Sequence, residues 1–208
     1  MEESLSILYT YGLRGDLDVL PRLYNLIRQL RALNSAEGVK VCEDEPAPLI
    51  GRILLLDLGE SCAADVWHCE ISGGLSMPLA FDGMGYHAAN VSGSLAPDAR
   101  QKVSESTQIK LIDADHAAEV DGVYLTLGDP HPDLLTILMR PAEFAGVDGN
   151  VLLLPAVAAR QVGEARLRGR MLTSHRVYDL PAAALPDPTI TAVIDLVKSE
   201  ARYRQKRG

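Results

Sequence analysis

Several clusters of side chains in this sequence have the types and spacing that chemistry requires. Asp113, Asp115 and His116 form an Asp-x-Asp-His group just past an apolar run, where strand-end loops place metal ligands. Asp129-Pro-His131-Pro-Asp133 offers a histidine between carboxylates. Cys62, His68 and Cys69 supply thiols and an imidazole, the donor types of a zinc site. Near the start, Ser6-Ile-Leu-Tyr-Thr-Tyr-Gly-Leu-Arg-Gly-Asp-Leu17 carries a β-prone run that stops at Tyr11-Gly12, with a helical pattern soon after. A buried strand ending at a glycine before a helix is where α/β proteins position reactive groups.

The first three clusters also have plainer readings, which are preferred. Asp113, Asp115 and His116 read as polar turn residues between strands, and the prolines around His131 favour a rigid turn. The Cys62, His68, Cys69 spacing fits no structural zinc pattern and shows no fourth ligand, so buried thiols beside a core Trp67 are expected. A single divalent metal ion held by Asp113, Asp115, His116 or His131 stands as the alternative.

The composition bounds what these groups can serve. The 208 residues suffice for one domain with a full core, spanning 1–208. A net charge of −8 argues against general affinity for nucleic acid or anionic membranes. The three cysteines, Cys42, Cys62 and Cys69, cannot all pair and read as reduced thiols. No apolar run reaches the roughly eighteen residues of a membrane span. Met-Glu-Glu-Ser at the start lacks the basic and apolar regions of a signal peptide, so the cytoplasm is the expected compartment.

The elements that must carry the candidate groups follow from hydrophobic pattern. Residues 5–11 read as a core strand. From Asp18, Val19, Leu20, Leu23, Leu26, Ile27, Leu30 and Leu33 fall at helical spacing, with Asp16 or Asp18 as cap and Pro21 in the first turn. Residues 42–51 form an acidic, proline-broken surface loop. Arg52–Ser61 reads as a strand buried on both faces. Further strands are expected at Thr107–Ile112, Gly122–Leu127, Leu134–Met139 and 171–180. A last helix from about Thr189 has Ile190, Val193, Ile194 and Val197 as its apolar stripe, and its basic tail from Arg202 is expected to fray. Pattern alone supports an α/β or α+β chain with buried strands.

A resemblance sharpens this. Ile7-Leu-Tyr-Thr-Tyr-Gly-Leu-Arg-Gly15 resembles I-L-H-T-N-D-L-H-G, the opening motif of the 5′-nucleotidase branch of the calcineurin-like metallophosphoesterases. Leu54-Leu-Leu-Asp-Leu-Gly-Glu-Ser61 resembles that family's L-L-L-D-A-G-D-S, and Gly85-Tyr86 its G-Y-D-A ahead of G-N-H-E. Val123–Gly128 is similar to V-I-L-S-H-L-G, and Gly149–Leu167, with Gly163, to V-P-V-V-Q-A-G-S-Y-G-R-Y-L-G-R-L-D-L. Pro186-Asp-Pro188 before the terminal helix also fits.

The resemblance implies a four-layer α/β/β/α sandwich with mixed sheets, shortened, without the nucleotidases' second domain. It also implies that the ligands are gone. Gly12 and Arg14 stand where the opening motif has its metal-binding Asp and His. Glu60 replaces a bridging Asp, and Gly93 and Ser94 replace the metal-binding Asn and the catalytic His. Pro141 and Glu143 stand where two His ligands are expected, and His87 takes a non-catalytic Asp position. A serine hydroxyl is no neutral-pH acid, and proline offers no ligand. Arg14 is expected to stand in for the lost ions by pairing with Glu60 or Asp57, which spares a buried unpaired carboxylate. The implied protein is a non-catalytic binding or assembly module without a cofactor. Its partner is a protein or a small anion met by Arg14 and Arg140, or a second copy in a homo-oligomer. The alternative is a divergent metal-dependent phosphoesterase with a relocated or single-metal site.

Overall fold

The apolar run at the start forms strand β1 (Ser4–Thr10), buried along nearly its whole length, and the chain is built around it. The computed structural model describes residues 4–36 and 51–207. The acidic loop read at 42–51 therefore falls, but for Gly51, outside the described residues, as does Cys42.

After β1 the chain enters helix α1 (Leu20–Ala36), entered at Asp16, whose carboxylate accepts from the Val19 amide at 3.2 Å. Strand β2 (Arg52–Asp57) follows, then the short helices α2 (Trp67–Ser72) and α3 (Ser76–Gly83) and strand β3 (Ala88–Asn90). Helix α4 (Pro97–Ser106) leads to β4 (Lys110–Ile112). Next come β5 (Ala118–Val120), β6 (Val123–Thr126), β7 (Leu135–Ala142), β8 (Gly146–Asp148) and β9 (Val151–Pro155). Strands β10 (Gln161–Arg168) and β11 (Met171–Asp179) and helix α5 (Pro188–Gln205) complete it.

The strands make two mixed sheets. The first runs β11-β10-β1-β2-β3-β4, with β1 to β4 mutually parallel and β10 antiparallel to β1. The second runs β5-β6-β7-β9-β8, with β6, β7 and β9 parallel. Alternation along each strand divides its side chains between two cores. Leu5, Ile7 and Tyr9 of β1, Leu54 and Leu56 of β2, and Ala165 and Leu167 of β10 face the second sheet. Leu8 and Leu55 point the other way, into the helices.

The two-sheet α/β sandwich implied by the resemblance is the architecture seen. Its shortening falls on one side: the described helices all join the core on the outer face of the first sheet. Among the described residues no helix lies between β5 and β10, where turns and bends connect the strands.

Helix α5 closes the helical layer. Asp187 caps it, accepting from the amides of Thr189 at 3.0 Å and Ile190 at 3.1 Å, and its other oxygen pairs with Arg28 of α1 at 2.9 Å. The basic tail expected to fray is helical through Gln205, with Arg204 paired to Glu200 and Arg202 over the Trp67 ring. Leu33, placed in the apolar stripe of α1 by spacing, is 58% exposed, while the next residue, Asn34, turns to the sheet and donates to Glu164 of β10 at 2.8 Å.

Sheet packing demands glycine at one point. A methyl group on Gly163 would lie 2.2 Å from Cζ of Tyr9, whose ring is fully buried and whose hydroxyl meets Nε2 of His175 at 2.8 Å. The ring has nowhere to go. Gly163→Ala should therefore destabilise the chain by about 3 kcal/mol in urea unfolding; an unchanged midpoint would show that the two sheets part easily at Tyr9.

Candidate functional site

Strand β2 ends on Asp57, a carboxylate with no exposure at all. Its Oδ1 accepts from Thr10 Oγ1 at 3.0 Å, and its Oδ2 accepts from Ser61 Oγ at 2.5 Å and the Gly59 amide at 3.1 Å. The Thr10 proton is committed to Asp57, so the Tyr86 hydroxyl, 3.1 Å from Thr10 Oγ1, donates to it. Burial pushes Asp57 up to about 7, against the pull of Ser61, Thr10 and the Gly59 amide. Burial likewise pushes the Tyr86 phenol well above its ordinary value.

Beyond these strands the two loops stay zipped together. Leu58 N donates to Thr10 O, Gly12 N to Gly59 O, Arg14 N to Glu60 O and Gly15 N to Ser61 O, at 2.7–2.9 Å. The price in backbone freedom is visible, because Arg14 (φ 49°) and Glu60 (φ 54°) sit in the left-handed region that disfavours side chains. Gly59 must be glycine: a Cβ there would lie 2.8 Å from Nδ2 of Asn90.

Asn90 is the second clamp. Its Nδ2 donates to Leu58 O at 3.1 Å and to Met139 O at 2.8 Å, and its Oδ1 accepts from the Ser92 amide at 2.9 Å. One amide thus ties the ends of β2 and β3 to β7 across the two sheets. Sequence reasoning passed over Asn90, Thr10 and Ser61. For Thr10 and Asn90 the available signal was a small polar side chain at the last position of a buried strand, where a side chain can satisfy the turn's backbone; Ser61 lies in the turn four residues past β2.

The expected pairing of Arg14 is corrected. Its side chain is exposed and, among the described residues, makes no ion pair with Asp57 or Glu60. Asp57 needs no cation because hydroxyls and an amide already satisfy it. Glu60 is exposed, and its carboxylate meets the Tyr11 hydroxyl; that hydrogen bond, followed by burial, pushes Tyr11 up to about 12.

Gly93 turns with φ 70° and open space around it, while the Ser94 hydroxyl donates to Val91 O at 3.1 Å and closes the same turn. Arg140 and Glu143 are exposed on either side of Pro141, which pairs with Leu154 past a register shift in β7. His87 has a packing role: its Nδ1 accepts from the Leu55 amide at 2.9 Å, and burial holds the imidazole below its usual range.

Asp113, Asp115 and His116 share one turn. Asp113 Oδ1 meets the Asp115 amide at 3.0 Å and His116 Nδ1 at 2.7 Å, while its other oxygen pairs with Arg100. His131 lies in the turn before β7, where its Nδ1 accepts from the amides of Asp133 and Leu134. Among the described residues, no three His, Cys, Asp or Glu groups converge on a point where a metal ion would sit. The residues at the expected ligand positions, with a cation, a proline and glycines among them, do not fit a two-metal centre.

The cysteine reading is also corrected. Cys62 and Cys69 form a disulfide rather than reduced thiols, because α2 folds Cys69 back over the turn that begins at Cys62. His68 binds no metal with them; its ring bridges Gly15 O at 2.9 Å and Ser76 Oγ at 2.8 Å.

With this geometry in place, solved structures supply a match. The crystal structure of the calcineurin-like phosphoesterase YfkN from Bacillus subtilis superposes with a TM-score of 0.56 over 99% of this chain and 100% of that one, at 11% identity. The chain has the calcineurin-like phosphoesterase fold. No protein-family model and no curated protein matches it. In this fold's frame the loops after β1, β2, β3 and β7 are the strand-end loops, and they carry Gly12, Arg14, Glu60, Gly93, Ser94 and Glu143.

Asp57 gives the site a pH signature. Its folded value lies above the unfolded one, near 4, so the unfolded chain loses this proton first and stability falls as pH rises from about 4 to about 7. Asp57→Asn removes the proton. Urea unfolding of both proteins should show the wild type losing ground to the variant between about pH 5 and pH 7.5, by at most about 1.4 kcal/mol per unit. A difference that does not move with pH would show that Asp57 stays ionised throughout.

Proposed function

We propose that this chain is a single-domain, non-catalytic relative of the 5′-nucleotidase type of phosphoesterase, working as a binding or assembly module through its strand-end loops. The observation that carries the reading is the filling of the site from within. The strand ends are held by the hydrogen bonds of Asp57 and Asn90, and the charged side chains exposed there include Arg14, Glu60, Arg140 and Glu143.

The chemistry of these loops narrows what they recognise. The amides of Gly12, Arg14 and Gly15 already donate to the β2 loop and are not available to an anion. Recognition falls to side chains. Arg14 and Arg140 supply guanidinium groups for a phosphate-like anion or a partner's carboxylates, and Glu60 and Glu143 give the same surface acidic points. A face carrying both signs suits a protein partner with complementary charge, or a second copy of the chain. The overall net charge of −8 weighs against nucleic acid. No described helix is long and apolar enough to cross a membrane. We place the protein's work in the cytoplasm.

Calorimetric titration with inorganic phosphate at low salt tests the anion contact. Saturable binding should weaken about tenfold in Arg14→Ala, the loss expected for one charged hydrogen-bond partner. A parallel panel of nucleotides and phosphodiesters with manganese should show no turnover above background. Turnover that disappears in Glu60→Ala or His116→Ala would replace this reading with a hydrolase using a single-metal site.

A further inference from the structure

The Cys62–Cys69 disulfide lies in the wall between two features. On one side is the loop after β1. Cys69, 4% exposed, packs on Gly15 so closely that a Cβ there would lie 3.2 Å from its sulfur and 2.9 Å from Val66 Cγ1. Gly15 is also held by His68, whose Nε2 meets its carbonyl at 2.9 Å. On the other side is a cavity of about 380 Å³ lined by Cys62, Cys69, Gly73, Gly74, Gly93 and Ser94. That volume is within the range of small-molecule clefts, roughly 300–1,000 Å³. Cys62 is the half-buried member of the pair.

A buried polar relay sits against the sulfurs. Ser76 Oγ is 3.9 Å from Cys62 Sγ and 3.8 Å from Cys69 Sγ, and 2.8 Å from His68 Nδ1. The Gly15 carbonyl only accepts, so His68 carries its proton on Nε2 and leaves Nδ1 to accept from Ser76. Burial keeps the ring below its usual range and favours this neutral form. When a sulfur becomes a thiolate, the Ser76 hydroxyl can turn from His68 and donate to it.

We propose that Cys62–Cys69 is a redox-active couple, reduced through this cavity by a low-molecular-weight thiol, and that its opening frees the loop that carries Arg14. An incoming thiolate attacks Cys62 Sγ; the Cys62–Cys69 bond breaks, and its electron pair leaves on Cys69. A second thiolate attacks the incoming sulfur of the mixed disulfide and releases Cys62. Two thiols are oxidised to one disulfide, and their protons end on Cys62 and Cys69. Helix α2 keeps its packing on α3 and α5 and the contact of Trp67 with Arg202, so the segment that the cross-link alone fastens is residues 62–66, which form turns. Opening the bond loosens that stretch and with it the contact of Val66 and Cys69 with Gly15. The inference goes beyond the binding reading, and its readouts do not depend on what Arg14 contacts.

The test uses the full native chain in mixtures of reduced and oxidised glutathione. The thiols are trapped by a maleimide and mapped by peptide mass, which separates Cys42 from the pair. Cys62 and Cys69 should become labelled together as the reduced fraction rises, without denaturant. In Cys69→Ser a glutathione adduct should form on Cys62, the sulfur that the incoming thiolate attacks. Amide hydrogen exchange should quicken at least several-fold at residues 12–16 and 62–66 on reduction and hold steady in β1 and α5. A disulfide that yields only after denaturation would overturn the proposal. So would thiols present at every glutathione ratio, or exchange at 12–16 that ignores reduction.

Discussion

A carboxylate with no access to water sets the terms for the strand-end edge of this molecule. Asp57 ends the central parallel strand of the first sheet, and its charge or its proton has to be answered by protein groups. Thr10 answers from β1, Gly59 and Ser61 from the following turn, and Tyr86 reaches in behind Thr10. That arrangement dictates the sharp left-handed path at Gly59 and Glu60. The path in turn offers the carbonyls of residues 59–61 to the amides of the loop after β1. Arg14 is exposed because its backbone is drawn into this ladder while Asp57 has no need of it.

Asn90 extends the same logic across the sandwich. Two sheets that pack through apolar faces have no directional contact of their own at the rim, and an amide donating to Leu58 and Met139 supplies one. The strand ends are thus aligned by side-chain hydrogen bonds at the place where the fold's resemblance implies metal ions. Charged groups of both signs are left outside the clamp, and it is to this surface that we assign the proposed binding. The disulfide behind Gly15 fastens the remaining side of the β1 loop.

Much of this was legible from residue pattern. The continuous apolar runs of β1 and β2 and the helical spacing of α1 and α5 reflect burial, which leaves a strong periodic signature. Asp16 and Pro186-Asp-Pro188 announced helix starts through capping chemistry. Helix α4 was hidden because it buries little beyond Ala99 and Val103, too few residues to show a period. Strand β2 was read through Ser61, yet it stops at Asp57, because the Gly59–Glu60 turn is decided by the side-chain contacts of Asp57 and Asn90. That positions 12, 93 and 141 carry residues with no side-chain metal ligand was plain in the residue types, whereas the pairing of Arg14 with an acid was not decidable from charge alone. The cysteine pair was missed for a similar reason, since a spacing of seven says nothing of the turn and helix that bring the sulfurs together.

Hydrogen bonds from Thr10, Ser61 and Asn90 hold the strand ends at the place where the sequence resemblance implies metal ions. Elemental mass spectrometry of protein purified without chelator, expressed per mole of chain, tests it most directly. Manganese, iron and zinc are each expected far below about one per chain, at a level unmoved by Glu60→Ala. A content of about one or two ions per chain that falls away in Glu60→Ala would contradict it.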